Sequence, residues 1–200
     1  MHDSIRELEK WLADIEGKHP VEWDMLPDIG LYMDQVQTYI DKQLSLYRKD
    51  DQDRLLTSAM INNYIKDGII PRADSKKYSP THLSLLIMIG TLKQVLSMQN
   101  LNRLLSSIRD PQDAASLYCR FLEIQNDALS ESARLAREET HLLEDSDADT
   151  MQDHDTALRG LALKLSIEAR TRILIAEKIL AMINQPQDSG DQSKHNKKGK

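Results

Sequence analysis

Apolar residues recur along this chain three and four positions apart, which is the spacing of amphipathic helices. The first helix is predicted over residues 4–15 and ends before His19 and Pro20. Four more helices are predicted over residues 31–46, 58–67, 83–96 and 97–110. Residues 83–89 are apolar at nearly every position, so this helix is predicted to be central, with Gly90 allowing close packing. The pattern favours a mainly all-α fold.

Two longer helices are predicted after Pro111, on either side of an acidic run at residues 144–155 that is predicted as a loop. The last helix carries an apolar stripe too wide for its neighbour alone to cover: Leu158, Leu161, Leu165, Ile173 and Leu180. A homodimer through these C-terminal helices would cover the stripe, and this is the preferred interpretation. The alternative is a bundle within one chain that includes the N-terminal helix.

One segment in the first half of the chain predicts a helix, a basic hairpin and two further helices. Thr57 is a favourable helix N-cap, Gly68 can adopt the left-handed conformation that ends a helix, and Pro71 prevents its continuation. A polar, basic run over residues 72–77 follows, and Ser79 caps the next helix. This order predicts a winged helix-turn-helix head with a small basic wing.

Eight residues of this head are predicted to contact DNA: Ser58, Asn62, Asn63, Lys66, Arg72, Lys76, Lys77 and Tyr78. Asparagine can read an adenine edge, whereas lysine, arginine and the tyrosine hydroxyl suit phosphates. Tyr64 is predicted to be half-buried under the wing. As alternatives, Asn62 and Asn63 are merely solvent-facing, and Lys76 and Lys77 belong to a solvated turn.

Motifs in this head carry a family resemblance, namely Tyr64, Gly68-Ile69-Ile70-Pro71, Lys77-Tyr78-Ser79 and Leu96-Ser97-Met98-x-x-Leu101. They resemble the DNA-binding head of MerR-type regulators. Over residues 23–105, the phrases LPDIGLYMDQV, MINNYIKDGIIP, KKYS and LKQVLS are similar to a bacterial family of domains of unknown function, number 1836. These resemblances imply a transcription regulator that binds double-stranded DNA as a homodimer. MerR-type heads usually carry, at the position of Asn62, an arginine that contacts a phosphate. This chain has the neutral amide of Asn62 there.

Charge is unevenly distributed, although the whole chain sums to −6. Residues 57–110 hold seven Lys and Arg against three Asp and Glu. Residues 1–56 hold seven against thirteen, and residues 111–184 hold eight against fourteen. The predicted head is therefore the one folded segment with a positive balance, as a nucleic-acid reader requires. Ordinary scatter in composition is the alternative explanation.

The patterns predict four regions: an N-terminal helix (1–22), the DNA-binding head (23–110), a helical dimerisation or regulatory region (111–185) and a disordered tail (186–200). Composition is that of a soluble globular protein, since 40% of the 200 residues are hydrophobic and 29% are charged. No run approaches the roughly 20 apolar residues of a membrane span. The N-terminus lacks the apolar core of a secretion signal, so a cytoplasmic location is predicted.

Catalytic and cofactor motifs are weak. The spacing Glu138-x-x-His141 occurs in di-iron bundles, but it is present once and is attributed to chance. The single Cys119 has apolar neighbours and is predicted to be a buried structural thiol, with a redox sensor as the alternative. We therefore expect no enzyme, no cofactor and no metal, and the sequence names no effector.

Two hypotheses of different classes remain. The first is a DNA-binding transcriptional regulator that reads an operator as a homodimer. The second is an all-helical adaptor that binds other proteins without reading DNA. Asn62 and Asn63 favour the first, because an adaptor groove would prefer aromatic residues or methionine.

Overall fold

The protein is described by a computed structural model over residues 3–48, 50, 54–105, 108, 110–144 and 151–183. These residues form seven α-helices: α1 Asp3–Glu16, α2 Met33–Gln43, α3 Ser58–Lys66, α4 Pro80–Leu92, α5 Met98–Leu105, α6 Pro111–Glu144 and α7 Met151–Ile183. Short 3-10 turns occupy Trp23–Met25 and Ser45–Tyr47. The predicted all-α class is confirmed. Among the described residues, extended pairing is limited to isolated β-bridges, so the predicted wing contains no β-strand.

Predicted helix starts are right where a capping residue is present, and predicted ends are less accurate. Helix α3 follows its Thr57 cap, and α4 follows its Ser79 cap. The helix predicted over residues 31–46 is instead interrupted at Leu44, between α2 and a 3-10 turn. The acidic loop predicted at residues 144–155 is shorter, because α7 already begins at Met151. Residues 145–150 and the predicted disordered tail lie outside the described residues.

Helix α4 is the centre of the main core. Its residues 82–90 are all buried, so this helix presents no solvent-facing side over those turns. Helices α2 and α6 pack on it, and Ile61 of α3 and Leu101 of α5 belong to the same apolar cluster. A Cβ on Gly90 would overlap Cδ1 of Leu44. The predicted central position of this helix and the predicted role of Gly90 are therefore confirmed.

The first turns of α6 belong to the same core. Tyr118 is fully buried, and its hydroxyl donates a hydrogen bond to the Val21 carbonyl at 2.8 Å. Its ring stacks on Phe121, with ring centres 5.9 Å apart, and lies 6.3 Å from the ring of Trp23. Burial raises the pKa of Tyr118 well above its ordinary value. The core of the predicted head thus continues past residue 110 into α6.

Helix α1 packs against the middle of α6 in a second, smaller core. Leu12 and Ile15 of α1 lie against Ala133 and Ala136 of α6. The small alanine side chains allow the two helices to approach closely. Arg137 also donates two hydrogen bonds of 2.8 Å to the carboxylate of Glu16. The N-terminal helix therefore covers part of α6 within one chain, as the bundle interpretation required.

Helix α7 packs against α5 and α6, and only a narrow side of it is covered. Leu161 and Leu180 are buried in this contact, while Leu165 remains partly exposed. Lys164 forms an ion pair with Glu139 of α6. The predicted dimer stripe is therefore wrong at Leu161 and Leu180, because both side chains are already covered by other residues of the same chain.

Two other burial predictions were also wrong. Cys119 is exposed rather than buried. It follows Tyr118 by one residue, and a helix turns by about 100° per residue, so the two side chains diverge. The helical spacing over residues 31–46 also predicts that Tyr32 points inward, but it is exposed because it precedes α2 as its N-cap.

Replacing Gly90 by alanine should lower the free energy of unfolding by about 1–3 kcal/mol, because the added methyl overpacks the contact with Leu44. Gly160 is the matched control, since a Cβ there meets no atom within 4 Å. Gly160→Ala should raise stability by about 0.5–1 kcal/mol through helix propensity. Urea denaturation measures both changes. Equal effects of the two substitutions would contradict the close packing at Gly90.

Candidate nucleic-acid interface

Helix α3 is short and fixed at both ends. The Thr57 side chain accepts a hydrogen bond from the Met60 backbone N–H at 3.3 Å. At the other end, Gly68 adopts φ of 73°. The backbone N–H of Ile69 then donates to the Tyr64 carbonyl at 2.9 Å, and that of Gly68 to the Ile65 carbonyl at 3.1 Å. This pair of bonds is the Schellman motif, which closes a helix with glycine in the left-handed conformation.

The two faces of α3 differ sharply in polarity and exposure. Ile61 and Tyr64 are buried in the main core. Asn62, Asn63 and Lys66 are all exposed on the outer side, and Ser58 in the first turn is half-buried. The helix therefore presents two amides and a cation to solvent from a rigid, capped element.

A tight hairpin follows α3. Asp74 and Lys77 form an antiparallel bridge, and the Lys77 backbone N–H donates to the Asp74 carbonyl at 2.8 Å. Between them, Ser75 and Lys76 have φ of 49° and 65°. Positive φ at both central residues defines a two-residue type I′ turn. The predicted basic wing is thus reduced to one turn, with Arg72, Lys76 and Lys77 exposed.

The hairpin is attached to the start of α2. Leu31 and Tyr78 exchange two backbone hydrogen bonds, of 3.0 and 2.9 Å. Next to this bridge, Nζ of Lys77 lies 5.8 Å from the ring centre of Tyr32, within the range of a cation–π contact. A Cβ on Gly30 would lie 2.7 Å from Cβ of Lys77, so a larger residue would displace the lysine. The sequence pattern did not assign Tyr32 to this surface. Its ring can reach Lys77 because Tyr32 is the N-cap residue just before α2.

Tyr78 does not present its ring to solvent. It is 5% exposed, and its ring makes an edge-to-face contact with His82, with ring centres 5.4 Å apart. Burial raises the pKa of the Tyr78 phenol. We therefore remove Tyr78 from the predicted phosphate contacts, because its hydrophobic ring serves the core instead. Tyr64 is likewise more deeply buried than predicted.

Positive charge on this surface is uncompensated by ion pairs. Four exposed cations of this surface, Lys66, Arg72, Lys76 and Lys77, form no salt bridge with a carboxylate of the described residues. By contrast, Arg134 and Arg137 of α6 are paired with glutamates. Exposed cations without a carboxylate partner are suited to bind the phosphates of a nucleic acid.

The described residues contain no group of three His, Cys, Asp or Glu side chains arranged to hold a metal ion. The Glu138 carboxylate of the Glu-x-x-His spacing is paired with Arg134. None of the described helices is both long enough and apolar enough to cross a membrane.

Comparison with known families assigns the chain to one of them. Residues 21–121 match DUF1836, a domain of unknown function, and this match covers half of the chain. The protein therefore belongs to the DUF1836 family. The matched region contains α2 to α5, the hairpin and the first turns of α6, which together build the main core. No curated protein and no solved structure matches the chain.

The hairpin geometry makes a testable prediction at Lys76. An L-residue in the left-handed region costs roughly 1–2 kcal/mol, so Lys76→Gly should raise the free energy of unfolding by about 1 kcal/mol. Lys76→Ala is the control, because it removes the same charge but keeps the Cβ. It should produce no comparable gain in chemical denaturation. A gain of equal size in the alanine variant would assign the effect to charge rather than to backbone conformation.

Proposed function

We propose that this protein is a non-catalytic, DNA-binding transcriptional regulator whose α3 enters the major groove. The observation that carries the proposal is the outer face of α3, where Asn62, Asn63 and Lys66 are exposed on a helix capped at both ends. Asparagine can form a bidentate pair with adenine, through its amide oxygen and nitrogen. A helix that is capped at both ends holds the two asparagine side chains in a defined position. Base reading requires this, because the amides must keep one orientation.

The hairpin supplies the second part of the proposed contact. Arg72, Lys76 and Lys77 are exposed there and would lie on phosphates beside the groove. The resemblance of this segment to MerR-type heads supports a winged helix-turn-helix arrangement, in which a turn of this kind accompanies the recognition helix. The positive balance of residues 57–110 supports the same assignment.

Homodimerisation is part of the proposal, through a surface of α7 different from the predicted stripe. Seven large apolar side chains of α7 are more than half exposed: Leu163, Ile167, Leu174, Ile175, Ile179, Met182 and Ile183. We name them the exposed α7 surface. Large apolar side chains exposed together on one helix mark an interaction site, because leaving them in water is unfavourable.

A second copy is the proposed occupant of the exposed α7 surface. Residues 145–150 and 184–200 contain no large apolar side chain, so these segments of the chain cannot cover it. The same helix of a second copy offers an equivalent apolar surface, as a two-fold symmetric interface requires. Such a dimer brings two α3 helices to one DNA molecule, and the operator is then pseudo-palindromic.

An adaptor that binds other proteins is the second candidate function. Met25, Ile29 and Tyr32 are all exposed, and Tyr32 lies next to Lys77 of the hairpin. Ile29 also lines a shallow depression of about 590 Å³ with Leu31 and Tyr39. Methionine and aromatic residues of this kind favour a protein ligand. DNA-binding measurements on variants of α3 distinguish the two functions.

Base reading is tested by Asn62→Ala and Asn63→Ala. At least one variant should lose about 1–3 kcal/mol of discrimination at one or two operator positions, because alanine cannot form the bidentate pair with adenine. An operator is first selected from random duplexes, and binding to it and to random DNA is then compared by fluorescence anisotropy. Circular dichroism verifies the fold. If neither variant changes the preference for operator, α3 does not read bases and the adaptor becomes the better account.

Phosphate binding is tested by the double variant Lys76→Ala and Lys77→Ala. Affinity should fall for all DNA sequences alike, and the log–log slope against salt should become shallower by about 0.9 for each phosphate that is no longer neutralised. The control, Arg6→Ala with Lys10→Ala, removes the same charge from the exposed side of α1. An equally large fall in affinity in the control would show that net charge, and not the hairpin, governs binding.

Assembly is tested by sedimentation equilibrium at micromolar concentration. The chain of 22.9 kDa should sediment at about twice its mass. Ile167→Asp with Leu174→Asp should give a monomer, because charge in an apolar interface is strongly unfavourable. Val95→Asp, an exposed apolar site outside α7, should leave the dimer intact. A monomeric wild-type chain at every concentration would contradict the proposed interface.

A further inference from the structure

The side chain of Lys77 runs over the backbone of Gly30, where no side chain obstructs it. A Cβ added to Gly30 would lie 2.7 Å from Cβ of Lys77, 3.4 Å from its Cγ and 3.2 Å from its Cδ. The aliphatic stem of the lysine therefore occupies the space that a side chain at position 30 would need. Because Cβ of Lys77 is attached directly to the hairpin backbone, it cannot yield as the end of a flexible side chain would. A larger residue at position 30 must displace the lysine stem or the hairpin.

The ring of Tyr32 contacts the other end of the same side chain. Nζ of Lys77 lies over this ring, 5.8 Å from its centre, which is the distance of a cation–π contact. Backbone hydrogen bonds hold the ring in place. The Tyr32 N–H donates to Oε1 of Gln35 at 2.9 Å, and Leu31 is bridged to Tyr78. None of these bonds uses the Tyr32 side chain, so the ring can be replaced without losing them.

Lys76 and Lys77 are neighbours and both exposed, but only one of them is restrained. Lys77 is held at its stem and at its ammonium group. Lys76 makes no ion pair, ring contact or side-chain hydrogen bond with the described residues. A side chain that is already ordered loses less conformational entropy when it binds a partner. The ammonium group has three N–H donors, so contact with a ring face leaves donors available for a phosphate.

We propose that Gly30 and Tyr32 are positioning residues, which hold the ammonium group of Lys77 ready to bind a phosphate of DNA. This inference rests on the proposed function, because it concerns the phosphate contact of the hairpin. It extends the determinants of that contact to the segment just before α2. Tyr32 acts through Lys77, so its aromatic face matters and its hydroxyl does not. Lys77 consequently contributes more to phosphate binding than Lys76 does.

Binding of the full-length chain to a random-sequence duplex, followed by fluorescence anisotropy, measures phosphate contacts without base reading. Tyr32→Leu should weaken this binding about two- to fivefold, which corresponds to the loss of an exposed cation–π contact. Tyr32→Phe keeps an aromatic face and should bind as the wild type does. Combined with Lys77→Ala, Tyr32→Leu should have no further effect. Combined with Lys76→Ala, it should keep its full effect.

Gly30→Ala tests the space under the lysine stem. It should weaken binding to the same duplex about as much as Tyr32→Leu does, because the added methyl displaces Lys77. Gly17→Ala is the matched control, since a Cβ there meets no atom within 4 Å. Neither glycine has a positive φ, so alanine causes no backbone strain at either position. Circular dichroism verifies the fold of all variants.

The contact between Tyr32 and Lys77 can also be measured without DNA. In the wild type and in Tyr32→Phe, the ring should shift the Hε proton resonances of Lys77 upfield. Tyr32→Leu should abolish this shift. Two-dimensional ¹H–¹³C NMR of the full-length chain provides the measurement, and the Hε resonances of Lys76 are the internal reference.

The two measurements separate failure of this inference from failure of the proposed function. Lys77 Hε resonances without an upfield shift in the wild type would overturn the inference. An equal effect of Tyr32→Leu with and without Lys77 would also overturn it, because the ring would then act independently of the lysine. Duplex binding by Lys77→Ala equal to that of the wild type would overturn both the inference and the phosphate contact on which it rests.

Discussion

Burial of α4 on all sides is the constraint on which the rest of the structure depends. Residues 82–90 include nine consecutive buried positions, so this helix is stable only when other helices surround it. The hydrophobic effect thereby gathers α2, α3, α5 and the start of α6 around one axis. Because α3 contributes its inner face to this core through Ile61 and Tyr64, its polar face is forced outward. The exposure of Asn62 and Asn63 is thus a consequence of packing elsewhere.

Local patterns predicted the helices well, since each helix repeats its apolar residues and several begin at a recognisable cap. The bounds of α3 followed from Thr57 and Gly68, whose backbone hydrogen bonds are local. Burial of single side chains was harder to predict. Cys119 was assigned from its apolar neighbours and the stripe of α7 from helical spacing, and neither signal reveals which face of a helix meets a partner. That choice is made by tertiary contacts, such as those of α1 and α5, which are distant in sequence.

The candidate interface was predictable only as far as local sequence patterns determine it. Its cations and amides were visible in the sequence, and their exposure agrees with the polar side of α3 and with the hairpin. The positive φ values of Ser75 and Lys76 were not predictable, because neither residue type prefers that conformation. Burial of Tyr78 also depends on a distant partner, since its backbone bridges to Leu31.

The central position of α4 also has a consequence for dynamics. Amide hydrogens in its middle can exchange with solvent only when the helices around it separate, which amounts to opening the whole main core. Their exchange rates therefore report the global stability of residues 21–121, the span of the family domain. Amides on the solvent side of α7, where side chains are exposed, need only a local opening. Slow exchange confined to α4 and its immediate neighbours would thus mark the cooperative folding unit of the family.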